Sequence, residues 1–331
     1  MMAADRILVI KFSALGDMIL AFAAFARVRA AHPDARITLL TTPPFADLAR
    51  ASPYFDAVET DGRPAGLGGW LALIGRLRKA RYARVYDLQT NDRTGLIFQA
   101  LRPFPPTWSG IAVGCALPHR NPDRQAMHSL ERHADQLRDA GIWPDAPVTP
   151  LSAPPPDISW MPTTIVAEPA AKPKALLVPG AAAHRAEKRW PAELYGDLAA
   201  QLIAEGYEVD IIGSAQERPL AATIQARAPA ARDLTGATDL FQIAALGASA
   251  ALAVGNDTGP MHLIAAAGAP CVSLFSAASD PALSAPRGAV TVLRSPDLGD
   301  LSVEEVMAKC LPKATPTTRN VDSQPREALD P

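Results

Sequence analysis

The sequence predicts an α/β chain of two doubly wound units, each a parallel sheet covered by helices on both faces, with a cleft between them. Three observations carry this. Short β-rich runs alternate with longer helical patterns, and the runs are continuously apolar, as strands buried on both faces are. The 331 residues are long for one hydrophobic core and suit two domains of about 150 residues each. A proline-rich stretch splits the alternation into two similar halves.

In the first half, RILVIKF (6–12) reads as a buried strand, with a helix following over about 17–31. Next come the strand RITLLT (36–41), a helix near 44–51, the short run AVET (57–60), a helix over about 69–79 and the strand ARVYDL (83–88). HSLERHADQLRDAG (128–141) has helical spacing and a stop signal at Gly141. The second half runs ALLVPG (175–180), a helix over about 191–205, EVDIIGS (208–214), a helix near 217–228 and RDLTG (232–236). LFQIAALGAS (240–249), AALAVGND (250–257), a small apolar helix and APCVSLFS (269–276) complete it. Residues 144–173 hold nine prolines and little periodicity, so they read as a linker and not as a strand inside a parallel sheet. The expected domains are therefore 1–170 and 171–312, and the polar, aperiodic stretch 313–331 is expected to be a disordered tail.

Bulk properties exclude several classes. A formal net charge of −2 gives no reason to expect nucleic-acid binding. Cys115, Cys271 and Cys310 are far apart and form no Cys-x-x-Cys, which fits a reducing compartment and speaks against a structural zinc site. The opening stretch lacks a signal-peptide cleavage site, its apolar run being cut by Lys11 and Asp17, and no run approaches the ~20 apolar residues of a membrane span. A cytoplasmic protein is expected, unless a surface patch meets a membrane. His128 and His133 are five apart and do not share a ligand face, no carboxylate cluster has metal spacing, and G-x-S-x-G is absent. Neither a metal nor a cofactor is expected.

In doubly wound sheets, ligands sit beyond the carboxyl ends of the strands, which singles out five loops. In KFSALGDM (11–18), Gly16 permits a tight turn and Asp17 stands at the helix start, as a cap or as a carboxylate facing the cleft. Gly16 is the loop's one glycine, so the dinucleotide fingerprint is absent. In PGAAAHRAEKRWP (179–191), Lys188 and Arg189 lie near backbone N–H groups and suit a diphosphate; alternatively they are solvated charges around a packing tryptophan, Trp190. In IGSAQERP (212–219), Glu217 can accept from ribose hydroxyls or cap a helix. In GNDTGPMHLIAAAGAP (255–270), Asp257, Thr258 and Gly259 mark a helix N-terminus fit for phosphate oxygens, and His262 lies one turn in, facing the same anion or sitting in the core. LFSAASDP (274–281) is the fifth such loop. Arg93 follows another strand end and can face a second substrate, while the basic run RLRKARYAR (76–84) is either a solvated face or a contact for anionic lipid headgroups.

Taken together, LVIKFSALGDMIL, EKRWP, IIGSAQER, LTGATDLFQIAAL and GNDTGPMHLIAAAGAPCVSLF resemble the ADP-heptose:lipopolysaccharide heptosyltransferase family, glycosyltransferase family 9, from about residue 6 to 310. The resemblance implies a GT-B architecture of two Rossmann-like domains, the N-terminal one taking the acceptor and the C-terminal one the nucleotide-sugar. It also implies an inverting, metal-independent transfer from ADP-heptose to a lipopolysaccharide core acceptor, in the cytoplasm or at the cytoplasmic face of the inner membrane. Asp17 matches the family's general base and Lys188 the lysine that neutralises the donor diphosphate. Asp257, Thr258, Gly259 and His262 match the donor-binding turn, and Glu217 matches the ribose-binding acid. Gly16 and Arg93 would lie on the acceptor side. Positive potential from Lys188, His262 and the helix N-terminus at Thr258 would replace a metal at the leaving diphosphate. The chain departs from the family at Ala181, Ala182 and Ala183, where hydroxyl residues are common, and at Ser276 to Ser279, where Gly-Pro-Thr is usual. Three other readings stay open: a nucleotide-sugar epimerase, for which no second acid/base partner opposite Asp17 is found; a non-catalytic nucleotide-sugar binder; and the same chemistry on another donor or on a protein or other glycan acceptor.

Overall fold

The computed structural model describes residues 5–161, 172–182 and 185–311. The expected boundary near residue 170 and the expected tail at 313–331 lie outside the described residues. The first sheet contains β1 (Arg6–Ile10), β2 (Arg36–Leu40), β3 (Ala57–Glu59), β4 (Arg84–Asp87), β5 (Thr107–Gly110) and β6 (Leu117–Pro118). Its helices are α1 (Leu15–Leu20), α2 (Phe22–Ala31), α3 (Ala46–Ala51), α4 (Gly66–Ala80), α5 (Asp92–Ala100) and α6 (Ser129–Asp139). The second sheet contains β7 (Lys174–Val178), β8 (Glu208–Ile211), β9 (Arg232–Asp233), β10 (Leu252–Asn256), β11 (Cys271–Phe275) and β12 (Val290–Arg294). It carries α7 (Ala192–Ala204), α8 (Arg218–Arg227), α9 (Leu240–Ser249), α10 (Gly259–Ala266), α11 (Pro281–Ser284) and α12 (Val303–Cys310).

Both sheets are parallel and repeat one strand order, β3-β2-β1-β4-β5-β6 and β12-β11-β10-β7-β8-β9. Each therefore has a switch point between its first and fourth strands, β1/β4 and β7/β10, where a crevice opens beyond the strand ends. The strands are buried on both faces because successive side chains serve different layers. Along β1, Ile7 and Val9 join one apolar cluster while Leu8 and Ile10 join another. The cluster that takes Ile7 and Val9 runs on through α1 and α2 into Leu176, Val178, Met261 and Leu263, so the inner layers of the two units share one core. The outer layers are separate: α4 and α5 pack on Leu8, Ile10 and Trp108, and α7, α8 and α12 on Leu177, Ile211 and Val254.

Several elements differ from expectation. The single helix expected over 17–31 is two, because the Ala21 N–H closes a tighter turn on the Met18 carbonyl. Strands β5, β6 and β12 and helices α5 and α12 were not foreseen. β12 is an edge strand with mostly open side chains and so lacks the continuous buried run used to find the others. The signal for α5 is its cap: the Asn91 side chain accepts from the Thr94 N–H, and the Thr94 hydroxyl accepts from the Asn91 N–H.

Candidate active site

The two switch points meet at α1 and α10. A Cβ on Gly16 would stand 2.7 Å from His262 Nε2, and one on Gly259 would stand 2.6 Å from Leu15 Cβ. Each helix thus carries a glycine in its first turn because the first turn of the other fills the space a side chain would need. A cavity of about 240 Å³ lies at this junction, lined from one unit by Gly16, Asp17 and Leu20 and from the other by Arg185, Lys188, Asp257, Thr258, Gly259 and His262.

Asp17 is both cap and cavity wall. Its Oδ2 accepts the Ala14 N–H at 3.2 Å, the contact expected of an acidic first turn, and its carboxylate also borders the cavity. Two cations flank it that spacing alone did not single out. Lys11 is buried and donates from Nζ to the Leu88 carbonyl at 3.2 Å; burial holds its pKa below the usual lysine value, with Asp17 pulling the other way. Arg132 on α6 donates to Ser129 Oγ and is likewise lowered by burial and raised by Asp17.

Opposite Asp17, Lys188 is held by a chain of contacts that starts at a buried amide. Asn256, at the end of β10, donates from Nδ2 to the Pro179 carbonyl at 2.8 Å and accepts at Oδ1 from the Trp190 N–H at 3.0 Å and from the Tyr195 hydroxyl at 3.1 Å. Trp190 is fully buried, donates from Nε1 to the Leu301 carbonyl and stacks edge-on against Tyr195. It is the packing residue of the EKRWP stretch. The preceding turn then directs Lys188 into the cavity, where Nζ lies 2.5 Å from Asp257 Oδ2. Lys188 is paired and largely buried, not a solvated charge.

Thr258 caps α10 in an extended conformation with no side-chain cap bond, and Pro260 supplies no donor, so the Gly259 N–H, with no side-chain acceptor among the described residues, is the first donor of the helix. His262 is buried, with Nδ1 unpartnered among the described residues. Burial drives its pKa down to about 4, against the pull of Asp257 and Asp17. It is therefore neutral near pH 7. This corrects the expectation that His262 adds positive potential: the imidazole offers a hydrogen bond, and the charge comes from Lys188 and from Arg185, which the sequence reading missed. Arg185 lines the cavity and donates from Nη2 to the Ala278 carbonyl at 2.7 Å, tying the loops after β7 and β11 together. Its signal was its place as a third basic residue just before Lys188 and Arg189.

Two expected residues stand apart from the cavity. Glu217 accepts the Ser214 N–H at 2.6 Å, and a Cβ on Gly180 would collide with its carboxylate at 1.7 Å, so it wedges between the loops after β7 and β8. Arg93, in the first turn of α5, lies 5.9 Å over the Trp70 ring. Among the described residues, no three His, Cys, Asp or Glu are grouped so as to hold a metal ion.

The model of glycosyltransferase family 9 (heptosyltransferase) matches residues 70–305. Lipopolysaccharide heptosyltransferase 2 of Escherichia coli strain K12 is 32% identical over 301 residues, covering 83% of each chain. The Salmonella typhimurium enzyme of the same name is 31% identical over 296 residues, again covering 83% of each. The solved structure of E. coli ADP-heptose lps heptosyltransferase II superposes with a TM-score of 0.74 at 27% identity, over 92% of this chain and 97% of that one.

Proposed function

The chain belongs to glycosyltransferase family 9, the heptosyltransferases, and from that premise we propose that it transfers a heptose from ADP-heptose to a lipopolysaccharide core acceptor, with inversion and without a metal ion. Asp17 takes the proton of the acceptor hydroxyl as its oxygen attacks the anomeric carbon. The bond from that carbon to the diphosphate oxygen breaks on the opposite face, its electron pair leaving with ADP. Lys188 and Arg185, the Gly259 N–H and the His262 imidazole receive the growing charge of the leaving group. Asp257 neutralises Lys188 until the diphosphate arrives, and Glu217 binds the ribose. Gly16 and Arg93 belong to the acceptor side. In this reading residues 1–170 handle the acceptor and 171–312 the donor, on the cytoplasmic side of the inner membrane.

The observation that carries the reading is the single cavity shared by Asp17 from one unit and by Arg185, Lys188 and the α10 N-terminus from the other. An inverting transfer needs its base across the sugar from the leaving group, and the two sets of side chains come from facing walls. The test is product detection by mass spectrometry with ADP-heptose and a heptose-deficient core, in EDTA. Transfer is expected to persist under chelation. Loss of turnover in EDTA that Mg²⁺ restores would overturn the metal-free mechanism. Transfer from other ADP- or UDP-sugars alone would reassign the donor, and donor binding with no product from any sugar would make the chain a binder.

A further inference from the structure

The two outer layers are built alike, yet they face solvent with different chemistry. Among the described residues after 172, Val292 on edge strand β12 is the one exposed large hydrophobic; α7, α8 and α12 present none. The outer layer of the first unit exposes Leu67 and Leu71 on α4, Leu96 on α5, Phe104 after it, and Ile111 and Val113 after β5, with Phe104 90% and Val113 83% open. Helix α4 already spends one apolar stripe, Leu73 and Leu77, on the sheet, and a surface helix needs only one. Leu67 and Leu71 form a second apolar stripe on its open face.

These side chains sit on one braced platform. The Arg93–Trp70 contact ties α5 to α4, Arg78 donates to the Ala100 carbonyl at 2.6 Å, and Gln99 donates to the Val113 carbonyl at 3.0 Å. Leu96, Ile111 and Val113 line one shallow groove. Cations accompany them: Arg78, Lys79, Arg81 and Arg102 are all exposed. Between residues 66 and 113 the carboxylates are Asp87, which is buried, and Asp92.

We propose that the α4–α5 face and its two flanking loops form a docking surface for an anionic lipid bilayer. Basic side chains meet the headgroups while apolar tips enter the hydrocarbon boundary. Charge complementarity selects this occupant, because Arg78, Lys79, Arg81 and Arg102 outnumber Asp92, the one exposed carboxylate between 66 and 113, and such a net positive face with apolar tips matches a negative plane over an apolar layer. Helix α4, at 1.5 Å per residue roughly 22 Å long, sets the length of the footprint. α5 starts at the carboxyl end of β4, the edge that carries the Asp17 crevice, so the docked chain would open that crevice beside the bilayer. The inference goes beyond the transferase reading and does not depend on which acceptor is used.

The test is co-sedimentation of the full chain with vesicles of phosphatidylglycerol and phosphatidylcholine, against phosphatidylcholine alone. Binding to the anionic vesicles only is expected, weakening with salt. Lys79→Ser and Arg81→Asn should each lower partitioning about fivefold, the worth of one cation near such a surface. Phe104→Asp and Leu71→Asp should lower it further while melting temperature and turnover on a soluble acceptor stay as in wild type, which separates this inference from the transferase reading. Equal partitioning of wild type and these variants, or no binding to anionic vesicles, would overturn it. A lipid-free dimer that Phe104→Asp dissociates would overturn it too, by giving the face to a second copy of the chain.

Discussion

Strands β4 and β10 hold the same place in the same strand order, and they end on different residues. β10 ends on Asn256, whose amide is engaged at both ends, with Pro179 and Gly180 carbonyls on one side and Trp190 and Tyr195 donors on the other. β4 ends on Asp87, equally buried, whose Oδ1 accepts from the Gln89 and Thr90 N–H groups while Oδ2 has no partner among the described residues. One switch point is pinned by a satisfied neutral group and the other carries a buried acid. The loops they serve differ likewise: the one after β1 is short and brings a carboxylate, and the one after β7 is long and brings cations. A repeated scaffold sets where a crevice opens; the side chain at the strand end sets whether that end is pinned by a neutral amide or carries a buried acid.

Removing the acid from the first wall should have the largest effect. Asp17→Asn keeps the shape and can still cap α1, so stability should hold while turnover falls about 10²–10⁴-fold, the usual worth of a general base. A variant of normal stability that retains more than about a tenth of wild-type turnover would reduce Asp17 to a cap and erase the contrast between the walls.

On the opposite wall, Lys188→Ala should weaken donor binding by calorimetry and slow transfer by about 10²–10³-fold, as loss of one charge-stabilising donor does. Part of the loss should come from Asp257, which would then meet the proposed diphosphate without its lysine partner. Asp257→Asn in the same background should recover some of the donor affinity. Unchanged affinity and turnover in Lys188→Ala would take the lysine out of the site.

The junction between the walls is sharpened by Gly259→Ala, whose methyl would press on Leu15. Pushing α1 from α10 misaligns acceptor and donor without removing any reacting group, and a displacement near 1 Å costs up to about 10²-fold. Single-turnover rates should fall while donor affinity changes little. A wild-type rate would mean the two helices move apart freely.

The smallest effect concerns pH. His262 has its pKa lowered from 6.5 to about 4, so the unfolded chain binds more protons in that window, and its contribution to stability, present above 6.5, is lost as pH falls towards 4. Asp87 acts in the opposite sense. Burial raises it from 3.8 to about 6, so its contribution is present below 3.8 and is lost as pH rises through 6. Urea melts between about pH 4 and 6 should therefore fall less with acid in His262→Gln than in wild type, and more in Asp87→Asn. Parallel curves for all three proteins would mean that neither group is shifted.

The residues of the candidate site were largely legible before any coordinates, because Asp17, Lys188 and the Asp257–His262 turn each stand where a strand ends and a helix begins. Lys11 and Arg132 were not, because a basic residue carries no local sign of whether it will be buried near a carboxylate, and Arg185 was marked only by its place just before Lys188 and Arg189. Nor could the sequence separate the two readings of Asp17, since capping and facing the cavity use the same side chain in the same rotamer.

What the sequence by itself determined are the features set by nearest neighbours along the chain. Continuous apolar runs between helical patterns mean strands buried on both faces; Gly and Pro mark the stops; Asn91 with Thr94 writes a cap. What only the tertiary structure decided are the features that depend on residues far apart in the chain. These are the one strand order used twice, the meeting of Gly16 with His262 and of Gly259 with Leu15, the pairing of Lys188 with Asp257, and the apolar second face of α4. The charge state of His262 belongs with them. Spacing placed the imidazole one turn into a helix, but desolvation is set by everything packed around a group, α1 at Gly16 included, and it is that burial that leaves His262 neutral.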